Sequence, residues 1–203
     1  GPTSTDRDET SSGVPIYGNL AGGLSDAGFI VIRYDKRGVG QSGGRIESIT
    51  LAEYAEDVRS VVHHLRDRAD VDERRIAVVG YGESGWIAML AAAKERRITA
   101  LGLVAAPSTR GVEFVLEQQR QMLVRMEISD EESLRKMELQ RRIHDAVMTG
   151  DGWDDIPPDM RKQADTPWFS SYLNFWPADI IQHLRQPMVV IHGGLDRQIV
   201  PGH

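Results

Sequence analysis

The feature that most constrains the fold is a short apolar run followed directly by a glycine-rich turn and an alanine-rich helix. Residues 75–79 (RIAVV) have the length and β-branched content of a buried strand. Residues 80–85 (GYGESG) form the turn, and residues 86–94 continue as a helix. A strand that turns sharply into a helix is the repeating unit of α/β proteins, so this segment predicts a parallel sheet with helices packed on it.

The rest of the chain shows the same alternation. Residues 16–27 carry apolar side chains at helical spacing, and Thr50 with Glu53 predicts a capping box at the start of another helix. Short apolar runs predict further strands at residues 29–34, 98–105 and 188–191. The expected fold class is therefore α/β, with a mainly parallel sheet, right-handed crossovers and flanking helices.

A long helical stretch interrupts this alternation before the last strand. Residues 112–127 and 130–148 predict two long helices, the second capped by Ser129 with Glu132 at the capping-box position. A helical segment between two strands of one sheet suggests an insertion. The predicted organisation is an incomplete core at residues 1–107 and 183–203, with a helical lid insertion at residues 108–182.

Composition excludes several classes of function. The 203 residues are 40% hydrophobic, have a formal net charge of −6 and include no cysteine. An acidic chain without a basic stripe is a poor nucleic-acid binder, and no apolar run approaches the ~20 residues of a membrane-spanning helix. Disulfides, thiolate catalysis and cysteine-ligated zinc are excluded. The histidine spacings do not suggest a metal site, and we expect no cofactor.

The glycine-rich turn permits two interpretations. Residues 80–85 match G-x-G-x-x-G, the dinucleotide-binding fingerprint. That motif expects an acidic residue at the end of the next strand to bind the ribose, but residues 104–108 (VAAPS) contain no acid. The second interpretation is a nucleophile elbow, G-x-S-x-G, in which small residues flank the apex of the turn.

The flanking residues indicate where the apex of such an elbow lies. An apex at Ser84 would place Trp86 where a small residue is needed, whereas an apex at Gly82 has Gly80 and Ser84 on either side. Glycine carries no nucleophile, and Ser84 would then lie in the first helical turn as the alternative nucleophile. Glycine also relieves strain at a sharp elbow, so we expect Gly82→Ser to cost stability.

Four segments, in order along nearly the whole chain, resemble parts of one known family. Residues 5–9 (TDRDE) resemble the polar stretch after its oxyanion glycines, and residues 33–42 (RYDKRGVGQS) resemble its D-x-R-G-x-G-x-S loop. Residues 75–92 resemble its elbow strand and helix, where the family usually reads G-H-S-E-G-G. Residues 192–201 (HGGLDRQIVP) resemble the loop that carries its triad acid. The resemblance is to the α/β-hydrolases, specifically the lid-bearing bacterial esterase and peptidase-like group near the serine aminopeptidases.

This resemblance implies hydrolysis of an ester or an amide or peptide bond through a catalytic triad. It places the triad acid at Asp196, the nucleophile position at Gly82 and one oxyanion donor at the backbone N–H of Glu83. The family histidine would lie beyond His203, and we expect the sequence to be truncated at both ends. A triad without nucleophile and base does not perform triad chemistry, so hydrolysis is expected to be impaired.

An aromatic cluster in the predicted insertion has two interpretations. It can line an acyl or substrate pocket beneath the lid, or it can attach the insertion to the core. The pocket candidates are Trp168, Phe169, Tyr172 and Trp176.

Four functional hypotheses follow. The first is a serine-hydrolase scaffold impaired at position 82, and the second is a non-catalytic protein that binds a small ester, amide or peptide-like ligand. The third is a dinucleotide-binding protein, and the fourth is an active enzyme that uses Ser84. The sequence assigns no substrate identity, compartment or oligomeric state.

Overall fold

The computed structural model describes residues 6–8, 10–11 and 13–199. Its helices and strands, with two 3-10 turns, are, in chain order, β1 (Thr10–Ser11), β2 (Val14–Pro15), α1 (Ile16–Asp26), a 3-10 turn (Ile46–Ser48), α2 (Leu51–Arg66), β3 (Ile76–Tyr81), α3 (Ser84–Lys94), β4 (Ile98–Val104), α4 (Gly111–Arg125), α5 (Asp130–Thr149), a 3-10 turn (Trp153–Asp155), α6 (Pro158–Ala164), α7 (Pro167–Leu173), α8 (Pro177–Ile181) and β5 (Met188–Ile191).

Side-chain caps explain where two of the long helices begin. The Thr50 hydroxyl accepts from the Glu53 N–H at 3.2 Å, and the Glu53 carboxylate accepts from the Thr50 N–H at 2.8 Å, so this capping box is confirmed. The Ser129 hydroxyl accepts from the Glu132 N–H at 3.3 Å, which confirms that cap. The Glu132 carboxylate instead lies 3.4 Å from Lys136 Nζ, one turn along α5, so the second half of that box does not form.

The main sheet is parallel, with the strand order β3-β4-β5. Tyr81 at the end of β3 pairs with Val104 of β4, and Val104 pairs with Ile191 of β5. The carboxyl ends of the three strands therefore meet at one edge of the sheet, which is where open α/β sheets place their ligands. The predicted α/β class with a parallel sheet is confirmed.

Trp86 on α3 lies at the centre of the main hydrophobic core and has no exposed surface. Its indole N–H donates to the carbonyl of Pro107 at 2.6 Å, just after β4. The ring of Phe175 stacks on it at 4.8 Å between centroids, and the ring of Tyr172 lies 5.0 Å away. One side chain thus joins the elbow helix, the sheet and the segment around α7.

The prediction of a buried strand at residues 29–34 is wrong. This segment forms no strand pairing, and the side chains of Phe29 and Ile30 are 56% and 48% exposed. A strand is defined by hydrogen bonds to a neighbouring strand, and none of the described residues supplies one here. Residues 29–34 have the amino-acid composition of a strand, but among the described residues they pair with no other strand.

Helices α4 to α8 lie between β4 and β5 in the chain. The start of α4 is fixed against the end of α7, because the Gly111 N–H donates to the Phe175 carbonyl at 2.9 Å. A Cβ atom at Gly111 would overlap the Tyr172 backbone, so the two helices meet at a glycine. Farther from the sheet, residues of α5, α6 and the intervening turn form a second, smaller hydrophobic cluster.

Candidate active site

The turn between β3 and α3 has the backbone of a tight elbow. Gly82 lies at its apex with φ +57°, in the left-handed region that favours glycine. Its N–H donates to the Val104 carbonyl at 2.9 Å, and its carbonyl accepts from the Gly85 N–H at 3.0 Å. These two bonds fix the apex to the end of β4 and to the first turn of α3.

The two glycines on β3 and its turn meet different steric limits. A Cβ atom at Gly80 would lie 2.6 Å from the backbone nitrogen of Gly85 and would also overlap Ser84, so packing requires glycine at position 80. A Cβ atom at Gly82 would meet Ile199 Cδ1 at 3.9 Å, which is ordinary van der Waals contact. Position 82 therefore has room for a side chain, and its restriction is the backbone angle.

Glu83 follows the apex and has a buried side chain. Its charge acts on Tyr54 of α2 and on Tyr172 of α7. Glu83 Oε1 lies 3.9 Å from Lys36 Nζ. Burial, together with the negative charge of Glu83, raises the pKa of Tyr54 to about 12 and also raises the pKa of Tyr172. The Glu83 carboxylate is therefore directed into the protein interior, and the backbone N–H of Glu83 remains the predicted oxyanion donor.

Asp35 organises the D-x-R-G-x-G-x-S loop beside the elbow. Its buried carboxylate accepts from the N–H groups of Arg7 at 2.8 Å and Gln41 at 3.1 Å. The bonds from Gln41 and Arg7 hold the pKa of Asp35 below its ordinary value. Gly40 packs directly on this carboxylate with φ +54°. The hydrogen bonds to Asp35 hold the backbone of this loop, and Lys36 of the loop lies beside the Glu83 carboxylate.

Asp196 lies in the loop after β5. Its Oδ1 accepts from the N–H groups of Gln198 at 2.8 Å and Ile199 at 3.0 Å. His192 Nε2 is 4.0 Å from Asp196 Oδ2, but it lies 2.6 Å from the Ile199 carbonyl. A carbonyl can only accept, so this nitrogen donates there and is not available as a proton acceptor.

The elbow and the Asp196 loop are connected through one side chain. Ile199 bonds to Asp196 through its N–H, and its Cδ1 is the atom that a side chain at Gly82 would contact. The structure therefore places the predicted acid loop next to the predicted nucleophile position, although the two are 114 residues apart in the sequence.

Comparison with known proteins decides the family. Residues 12–147 match the family described as Serine aminopeptidase, S33. The chain belongs to this family. It is 32% identical over 206 residues to Esterase EstD of Thermotoga maritima, covering 98% of this chain and 45% of that protein. It is 32% identical over 119 residues to Thiohydrolase apmlB of Arthrinium phaeospermum, covering 58% of this chain and 38% of that protein. The chain spans less than half the length of these relatives.

A solved structure supports the same conclusion for the fold. The α/β hydrolase GrgF from Penicillium sp. sh18 superposes with a TM-score of 0.61 at 19% identity, covering 97% of this chain and 70% of that chain. The expected α/β-hydrolase fold and the resemblance to its esterase and peptidase-like members are confirmed.

Ser84, the predicted alternative nucleophile, follows the apex by two residues, and the sequence predicts neither His63 nor His144 as the catalytic base. Ser84 is the half-buried first residue of α3. His63 on α2 lies 2.7 Å from Glu95 at the opposite end of α3, and His144 is buried on α5. The prediction of a catalytic histidine beyond His203 falls outside the described residues, as do Thr5 and Glu9 of the expected oxyanion stretch.

The aromatic candidates are divided between core and surface. Tyr172 is buried against Trp86, and Trp168 lies 5.2 Å from Tyr172. Phe169 meets the ring of His144 edge-on at 5.7 Å. Trp176 is 37% exposed beneath the guanidinium of Arg110, which is 4.0 Å from its ring centre. Tyr172 and Trp168 pack on the main core, Phe169 packs on the second cluster within the helical segment, and Trp176 presents a ring to solvent.

The described part of the chain offers neither a metal site nor a membrane-spanning helix. It contains no cluster of three histidine or carboxylate side chains arranged to hold a metal ion. Within the same residues, no helix combines the length and apolar character needed to cross a membrane.

Proposed function

We propose that this chain is the scaffold of an ester or amide hydrolase whose nucleophile position is occupied by Gly82, so that acyl transfer through position 82 is impaired. The observation that carries this proposal is the left-handed glycine at the apex of a strand–turn–helix, with room for a side chain beside Ile199. In this fold the apex is where the attacking oxygen is presented. Membership of the S33 family supports the reaction class.

The groups around position 82 would each have a role in the hydrolysis. In a relative with serine at position 82, that oxygen would attack the carbonyl carbon, and the N–H of Glu83 would stabilise the oxyanion. Asp196 would orient a histidine that takes the serine proton. Residues 108–182 would form the lid, and Trp176 would offer the exposed part of an acyl pocket. The ligand class is a small ester, amide or peptide-like compound.

A matched pair of substitutions tests whether position 82 is an elbow apex. Serine at Gly82 must adopt the left-handed backbone, which costs about 1–2 kcal/mol. Serine at Gly80 must displace the backbone of α3, which exceeds the ~1–3 kcal/mol of ordinary overpacking. Urea unfolding of Gly82→Ser and Gly80→Ser measures both. An equal or greater loss for Gly82→Ser would contradict the assignment.

Labelling with a fluorophosphonate probe tests the loss of catalysis. We expect no labelling of the folded chain above that of the denatured chain, because position 82 has no oxygen. Labelling that disappears in Ser84→Ala would overturn the proposal and establish Ser84 as the nucleophile. Hydrolysis of a chromogenic acetyl ester, followed in parallel, should match the uncatalysed rate.

The alternative is a non-catalytic binding protein, which the absence of a nucleophilic side chain at Gly82 also favours. It predicts that small acyl esters or amides raise the melting temperature without being consumed, whereas NAD and NADP leave it unchanged. Stabilisation by NAD instead would revive the dinucleotide interpretation.

A further inference from the structure

The opposite end of the sheet carries a repeated sequence. Residues 73–76 (ERRI) precede β3, and residues 95–98 (ERRI) precede β4. Ile76 and Ile98 are paired across the two parallel strands. The two arginine pairs are therefore brought side by side at the amino end of the sheet, away from Gly82 and Asp196.

A depression of about 520 Å³ lies between these segments. Its lining residues are Glu73, Arg74, Arg96, Arg97 and Thr99. The depression is shallow and open to solvent, so it offers surface contacts to a small charged ligand rather than an enclosed cavity. The site is distinct from the candidate active site because it lies at the amino ends of the strands.

Some charged side chains around this depression have ion-pair partners and others do not. Glu95 is buried, and its carboxylate is bound by His63 at 2.7 Å and by the Arg97 side chain at 3.2 Å. Among the described residues, no carboxylate lies within 4 Å of the guanidinium groups of Arg74 or Arg96. Two exposed cations therefore line the depression with no ion-pair partner among the described residues, and Glu73 is the acidic residue of the same lining.

We propose that Arg74 and Arg96 form a binding site for a small phosphate-bearing anion at the amino end of the sheet. Guanidinium groups match the geometry of phosphate oxygens and bind them through paired N–H donors. Glu73 contributes a negative charge to the same lining, so it opposes binding and should limit the affinity. The site goes beyond the proposed hydrolase function and does not depend on it.

The test is a calorimetric titration of the 203-residue chain with pyrophosphate and, separately, with inorganic phosphate, at an ionic strength held constant with sodium chloride. Saturable binding with one site per chain is expected, tighter for pyrophosphate. Arg74→Gln and Arg96→Gln should each weaken binding at least about tenfold, because each removes a charge-assisted contact. Glu73→Gln should tighten it several-fold.

Arg142→Gln is the matched control, since it removes the same charge from an exposed position on α5. Its affinity should equal that of the unchanged chain. If Arg142→Gln and Arg96→Gln weaken anion binding equally, the binding reflects the general charge of the chain, and the proposed site is overturned. The site is also overturned if titration with pyrophosphate releases no more heat than titration with sodium chloride. If an arginine variant does not fold, Glu73→Gln decides alone: tighter binding supports the site, and unchanged binding refutes it.

Discussion

The two hydrophobic clusters of this chain differ in how they are joined to the sheet. The cluster around Trp86 contains residues of β3, β4, α2 and α3, but it also includes Phe114, Tyr172 and Phe175 from the helical segment between β4 and β5. The second cluster is built within that segment from Ile143, Ala146, Trp153, Ile156 and Ala164. The half of the segment near the sheet therefore belongs to the main core, and the far half has a core of its own.

This difference limits what a lid could do. Opening α4 or α7 would expose the rings packed on Trp86, whereas moving α5 and α6 would leave the main core intact. The second cluster is also the less hydrophobic of the two, because buried His144 lies beside it against Phe169. Any lid motion should therefore be confined to α5 and α6, because none of their residues belongs to the main cluster.

The largest expected effect comes from removing the shared side chain. Trp86→Ala deletes the centre of the main core and the bond to Pro107, and should lower the free energy of unfolding by about 3–5 kcal/mol. Chemical denaturation followed by circular dichroism measures it. Trp176→Ala is the matched control, because that ring is partly exposed and loses mainly a cation–π contact of about 1 kcal/mol. Similar losses in the two variants would contradict the central role of Trp86.

The second effect is a pH dependence confined to the smaller cluster. Burial lowers the pKa of His144 from 6.5 to about 4, and Asp145 opposes this only weakly. His144 Nε2 accepts from the Gln140 amide at 2.7 Å, which requires the neutral ring. The unfolded chain binds the proton more tightly. The stability that neutral His144 provides is therefore complete above pH 6.5, falls as the pH decreases towards 4, and is level below that.

The expected size of this pH-dependent loss is on the order of 3 kcal/mol. Unfolding free energies at pH 7.5 and pH 4 should differ less in His144→Leu than in the unchanged chain. His64→Gln, a substitution of an exposed histidine on α2, controls for the loss of any histidine. If His144→Leu retains the full pH dependence, the buried ring is not its source.

The smallest effect concerns the surface of the second cluster. The guanidinium of Arg161 lies 5.2 Å from the centre of the Trp153 ring, and Arg161 also pairs with Asp165 at 3.4 Å. The Arg161 and Asp165 side chains are half exposed, and the guanidinium covers a ring that is itself buried, so Arg161→Gln should cost no more than about 1 kcal/mol. Lys162→Gln, at the neighbouring exposed position, should have no measurable effect on the melting temperature. If Arg161→Gln lowers the free energy of unfolding more than Trp86→Ala does, the second cluster contributes more to stability than the main core, contrary to this prediction.

The parts of the fold that depend on neighbouring residues in the sequence were predictable. The box at Thr50 and Glu53 and the β3–α3 turn with Gly80 are local, and each is confirmed or directly supported. Residues 29–34 have the composition of a strand, yet strand formation requires a partner that local sequence does not specify.

The same distinction applies to the site. The sizes of Gly80 and Ser84 predict an apex at Gly82, and in the structure this glycine has a left-handed φ of +57°. The ion pair between Lys36 and Glu83, and the contact that Ile199 would make with a side chain at position 82, join segments that are distant in the sequence. No local pattern encodes either contact, so sequence reasoning missed both.

Strand β5 has a consequence for how the chain behaves in solution. All four of its residues are exposed, and among the described residues its backbone pairs only with β4. An open apolar edge can accept a strand from another molecule, and natural proteins usually block such edges with charges or bulges. Val189, Val190 and Ile191 provide neither charge nor proline. For the 203-residue chain, β5 is therefore the edge at which we expect intermolecular strand pairing, and concentration-dependent self-association, to begin.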